Sequence, residues 1–106
     1  MADTEKIEIK SARAPKGAIS VRLIDEERGL TKYENVYAVR IHSKNYVLLI
    51  MEDYSPTLGQ VDGNVSFLVD DQEVVFKGLK GCFKHQDNEF TMIVEEGAEV
   101  LWIFRH

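Results

Sequence analysis

Three histidines and one cysteine, His42, His85, His106 and Cys82, are the residues of this chain best suited to acid–base, metal or nucleophilic chemistry. A histidine metal site needs further ligands at short, fixed intervals. Here His42 falls in the polar turn His42-Ser43-Lys44-Asn45, His85 lies just before Gln86-Asp87-Asn88-Glu89, and His106 is the last residue. This spacing predicts solvated histidines and no metal. Cys82 stands between Gly81 and Phe83 in an apolar strand pattern, where a thiol behaves as a small buried hydrophobe with no base to activate it. The carboxylate pairs Glu26-Glu27, Glu52-Asp53, Asp70-Asp71 and Glu95-Glu96 all occupy turn-like stretches. An acid and a base need opposed environments to separate their pKa values, and paired turn residues share one. Gly59 and Gly63 lack the lysine and following helix of a phosphate loop, and the aspartate-bearing turns lack the ligand order of a calcium loop. The expectation is a protein that is not an enzyme, with no catalytic residues and no cofactor.

The elements that would position such residues read as strands. Ile19, Val21 and Leu23 alternate with polar partners, Glu26-Glu27-Arg28-Gly29 turns the chain, and Tyr37, Val39 and Ile41 share one strand face. Tyr46 to Met51 is an unbroken apolar run, which predicts a central strand covered on both sides. A polar, proline-bearing loop, Glu52 to Gln60, follows before Val65, Phe67 and Val69 resume the alternation. Asp70 to Glu73 and Gln86 to Glu89 suit hairpin turns, Gly78 and Gly81 bracket a short link, and Val100, Trp102 and Phe104 mark a last strand with Trp102 in the core. No sustained helical stripe appears. The fold class is therefore all-β, an antiparallel β-sandwich, flattened and barrel-like, of about eight to ten short strands.

Bulk properties narrow the function. The chain has 106 residues, 44% hydrophobic, enough for one domain. Residues 1–18 read as a polar extension with room for an edge strand at Ile7 and Ile9, broken off by Ala14-Pro15-Lys16-Gly17, and residues 19–106 as a single β-sandwich domain. A net charge of -5 opposes attraction to phosphate backbones, so nucleic acid is not an expected partner. The single cysteine forbids an internal disulfide, the first residues lack a signal-peptide core, and the longest apolar run is far short of a membrane span. These features predict a cytoplasmic protein without membrane insertion. The residues with most to offer a partner are Tyr54, Ser55, Pro56, Thr57 and Leu58, rigid and half-apolar in a loop leaving a core strand. Their competing role is to fold back and cap the end of the sandwich.

Val47-Leu48-Leu49-Ile50-Met51-Glu52-Asp53-Tyr54-Ser55-Pro56-Thr57-Leu58, with Val61-Asp62-Gly63-Asn64-Val65-Ser66-Phe67 after it, resembles the N-terminal β-sandwich of the epsilon subunit of rotary ATP synthases. In that family a hydrophobic strand enters a Leu-Pro-Gly-His-Ala-Pro-like loop and a Leu-Lys-Pro-Gly-Val-like stretch opens the next strand. Gly81 to Glu96 is similar to the family's Gly-Gly-Phe strand, turn and Val-Thr-Ile-Leu strand. The resemblance implies a sandwich that docks on the central stalk subunit and the membrane ring, without the family's C-terminal helix pair. The functional expectation is thus a non-enzymatic protein-binding module, acting on a protein partner such as a rotary-motor stalk subunit through loop and sheet-edge residues. Two alternatives stand beside it: a ligand-binding or enzymatic β-sandwich with a pocket built from distant residues, and a self-associating structural module.

Overall fold

A computed structural model describes residues 17–70, 72–97 and 99–104, the last segment for its backbone. The suggested N-terminal edge strand, the core placement of Trp102 and the position of His106 lie outside the described residues or side chains. Among the described residues eight strands follow one another: β1 (Ile19–Asp25), β2 (Gly29–Val36), β3 (Ala38–Ser43), β4 (Val47–Ile50), β5 (Thr57–Val69), β6 (Gln72–Gln86), β7 (Glu89–Glu96) and β8 (Glu99–Phe104). They form one sheet in the order β2-β1-β7-β6-β5-β3-β4, with β8 paired to the first half of β6. The all-β expectation therefore holds, but the purely antiparallel one is corrected. β1 runs parallel to β7, so the sheet is mixed.

The turns show why the chain reverses where it does. Asp25 accepts the Glu27 N–H at 2.9 Å and Arg28 Nη1 at 2.6 Å, which, led by the backbone bond, hold its carboxyl below the usual range. Asp87 and Asn88, with φ of 52° and 60°, make the left-handed pair that a tight hairpin between β6 and β7 requires.

Two strands are longer than their glycines suggest. β6 runs through Gly78 as one strand, whose φ of 70° lets the backbone kink without ending the pairing, so no link interrupts it. This kink separates the half of β6 that pairs β8 from the half that pairs β7. β5 begins at Thr57 rather than after Gln60, which moves Thr57 and Leu58 out of the expected loop and onto a strand.

The path from β2 to β4 leaves two distinct ends, and the sheet curls so that its inner surfaces meet. Tyr33 of β2 packs on Phe67 of β5 with ring centroids 5.6 Å apart, although three strands separate them along the sheet. Phe67 also meets Phe76 and Phe90, and Phe83 stacks on Phe90 at 5.4 Å. Ile19, Val21, Leu23, Val39, Ile41, Ile50, Val65, Leu79 and Met92 are among the aliphatic and methionine side chains buried in this core.

The apolar run Tyr46 to Met51 is not a central strand. Its residues Val47–Ile50 form β4, at the end of the sheet among the described residues, with Ile50 buried but Val47, Leu49 and the following Met51 exposed at 62%, 45% and 52%. Among the described residues, only its inward face packs against the core.

Candidate functional site

Register places the exposed residues of five strands in two rows. Cys82 of β6 is opposite Ile93 of β7, Ile93 is opposite Ile24 of β1, and Ile24 is opposite Leu30 of β2. Side chains at directly paired positions share a face, so these four make an apolar row across the outside of the sheet. Ile24, Leu30 and Ile93 are 44%, 56% and 47% exposed, and Cys82 is half-buried. One step along the strands, Leu58, Lys84, Thr91, Arg22 and Lys32 form a second row in the same way. It is basic at Lys84, Arg22 and Lys32, with Glu89 at its margin 3.5 Å from Arg22. A protein of net charge -5 thus carries a local basic strip beside an apolar one.

A groove of about 620 Å³ opens on this face between β5, β6 and β7, lined by Leu58, Gln60, Cys82, Lys84, Thr91 and Ile93 around Gly59 and Phe83. On the inner side of the same strands, Gly59 makes room for Phe83. A Cβ there would come within 2.6 Å of the Phe83 ring, so the glycine lets that ring lie across β5. Tyr46 donates its hydroxyl to the Gln60 carbonyl beside it, and burial raises that hydroxyl's pKa above its ordinary value.

The expected contact loop divides. Tyr54 is half-buried against the core and meets the His85 ring edge-on at 6.4 Å, the capping role. Ser55 and Pro56 are exposed, Thr57 Oγ1 donates to the Ser55 carbonyl, and Leu58 projects from β5 at 75% exposure. The turn before them is clamped to the β6–β7 hairpin: Asp53 N–H donates to Asn88 Oδ1 at 2.7 Å and Asn88 Nδ2 donates back to Asp53 Oδ1 at 3.1 Å. Asn88 also accepts the Ser20 N–H through its carbonyl, so one residue fixes the loop, the hairpin and the start of β1.

The histidines part company with expectation. His42 is exposed on β3 rather than in a turn. His85 is not solvated. It is fully buried on β6 between Tyr54 and Phe90, neither ring nitrogen has a hydrogen-bond partner among the described residues, and burial pushes its pKa below 6.5. Its place follows from strand parity, which puts His85 on the same face as Phe83. Cys82, expected to be buried, lies by the same parity on the outer face. Among the described residues, no three His, Cys, Asp or Glu side chains gather as metal ligands, and no helix is long and apolar enough to cross a membrane.

No family model matches the chain, and no curated protein matches it. Among solved structures it is similar to a chain of the Tetrahymena thermophila mitochondrial ATP synthase, central stalk/c-ring, determined by cryo-EM. The TM-score is 0.60 at 14% identity, over 76% of this chain and 66% of that one, just under two thirds of its length. A likeness at that identity shows a shared fold alone. The epsilon-subunit resemblance is corrected accordingly: the similar chain belongs to a central stalk/c-ring assembly, and no family model supports an epsilon identity.

Proposed function

We propose that this protein is a non-enzymatic docking module, a sandwich-like folded sheet that binds a protein partner through the outer face of β5, β6, β7, β1 and β2. The observation that carries the proposal is the apolar row Cys82, Ile93, Ile24 and Leu30 lying directly beside the basic row Lys84, Arg22 and Lys32. Such a face fits a segment with an apolar stripe flanked by acidic side chains. The apolar contact supplies affinity and the charge pairs supply orientation. Strand side chains are held by the ladder, so little freedom is lost on binding. Leu58 and the exposed Ser55 and Pro56 extend the face at one end, while Tyr54 and Thr57 support it. A rotary-motor stalk subunit is one partner to test first, since the similar fold comes from a central stalk/c-ring assembly. Cytoplasmic placement, consistent with the lone cysteine, belongs to the same proposal.

The experiment compares captured partners for the parent, Ile93→Ser and the charge-reversed Arg22→Glu/Lys84→Glu protein, each checked for an unchanged melt. A partner held by the parent and lost from both variants supports the docking face. Equal capture by all three folded proteins would sink it.

A further inference from the structure

The geometry points to self-pairing of the β4 edge: two copies of this chain join β4 to β4 as an antiparallel strand pair about a two-fold axis at Leu48, with Val47 of each copy opposite Leu49 of the other. This surface is separate from the outer-face rows, so either reading stands or falls without the other.

Among the described residues β4 has only β3 beside it. The Ser43 N–H donates to the Tyr46 carbonyl at 2.9 Å, and the register continues through Ile41 opposite Leu48 and Val39 opposite Ile50. Antiparallel bonding alternates along a strand, so Tyr46, Leu48 and Ile50 direct their backbone groups to β3. Those of Val47 and Leu49 point to the open edge. The far side of β3 agrees: the Lys44 N–H donates to the Asp62 carbonyl at 3.0 Å, putting the even positions of that segment toward β5.

Val47 and Leu49 thus present a backbone ladder and, at 62% and 45% exposure, apolar side chains in the same place. Proteins ordinarily guard such an edge with charge, proline or a bulge. The opposite edge, β2, carries Lys32 and Glu34, whereas β4 is Val-Leu-Leu-Ile.

A second copy fits this edge by its own symmetry. With Val47 opposite Leu49, the outward-bonding residues of each strand meet each other, and apolar side chains on the exposed face meet apolar ones. The flanks are complementary as well. β4 is preceded by Lys44, whose side chain is 70% exposed although it lies 3.2 Å from Asp62, and is followed by exposed Glu52 and Asp53. The antiparallel two-fold sets the basic end of one copy against the acidic end of the other, with Lys44 opposite Glu52. A parallel pairing would set like charges together. Four paired residues a side make a contact below the standard interface size, so the dimer is weak and concentration-dependent.

Sedimentation of the parent from about 10 μM to about 1 mM, a range that spans weak association, should show the mass rising toward twofold. Leu49→Lys should stay monomeric throughout with an unchanged melt. In a Cys82→Ser background, oxidation should cross-link Leu48→Cys, whose two sulfurs meet on the axis, and should leave Val47→Cys largely monomeric, because those sulfurs are offset along the ladder. A parent that remains monomeric at the highest concentration, a folded Leu49→Lys that still doubles in mass, or Val47→Cys cross-linking faster than Leu48→Cys would each overturn the proposal.

Discussion

On β6 and β7, residues one position apart live in opposite surroundings. Phe83 and Met92 are buried in the core that also holds Phe67, Phe90 and Val61, while Cys82 and Ile93 look out from the other side of the same two strands. The backbone bonding is shared, so the difference between the faces lies in what the side chains touch. Inside, apolar surface is removed from water and stabilises the fold. Outside, apolar surface of similar chemistry contributes little to folding and remains available to a partner. A sheet with one such spare apolar row differs from one whose outer positions are all polar. The comparison predicts large effects on one face and small ones on the other.

The largest effect should follow Phe67→Ala. Phe67 is fully buried and its ring meets Tyr33, Phe76 and Phe90, so its loss leaves a cavity where the sheet curls onto itself. A cost of about 3–5 kcal/mol in denaturant melts is expected. Ile50→Ala, on the inner side of β4, should cost about 2–5 kcal/mol, against less than about 0.5 kcal/mol for the exposed Leu49→Ala. Equal costs at Ile50 and Leu49 would erase the distinction between the faces.

His85 sharpens the comparison because it is a polar residue on the inner face. Burial holds its folded pKa below the ordinary 6.5 of an unfolded chain. Above pH 6.5 the imidazole is neutral in both states and the full stability is present. As pH falls below 6.5 the unfolded chain takes up a proton that the folded one resists, so stability should decline toward the folded pKa. His85→Leu, which removes both nitrogens that lack a partner among the described residues, should flatten that decline below pH 6.5. An identical slope in parent and variant would mean that the ring is solvated.

How far these faces were legible depended on whether the signal was local. The alternation of Ile19, Val21 and Leu23 marked β1 because each side chain reports its own face, and Gln86 to Glu89 marked a hairpin because left-handed residues are a local demand. The apolar run Tyr46 to Met51 does not identify β4 as an edge, because such a run is equally compatible with a central strand and with an edge strand whose outer side is bare. Strand order decides between them, and order is set by distant pairings. Gly59, which falls in the expected loop, and Gly63 each serve a close approach on β5. A Cβ on Gly63 would fall 2.1 Å from the His42 carbonyl oxygen on β3. The outer row is not legible in the sequence because Ile24, Leu30, Cys82 and Ile93 come together only through register. A faint signal did exist in Leu23-Ile24 and Met92-Ile93-Val94, where consecutive apolar residues break the expected alternation.

The smallest effects concern the segment Tyr54 to Leu58, and they divide it at the point where loop becomes strand. Tyr54 rests on the core and on the buried His85 ring, so Tyr54→Ser should destabilise by about 1–3 kcal/mol, part of the burial value of a large side chain. Leu58 is 75% exposed at the end of the basic row, so Leu58→Ser should shift the melt by less than about 0.5 kcal/mol. Under the docking proposal Leu58→Ser should nonetheless weaken partner capture, whereas Tyr54→Ser should weaken it only to the extent that the protein unfolds. The two variants, melted and assayed under the same conditions, separate capping from contact. A stability loss at Leu58 equal to that at Tyr54 would return both residues to the cap and shorten the docking face to β6, β7, β1 and β2.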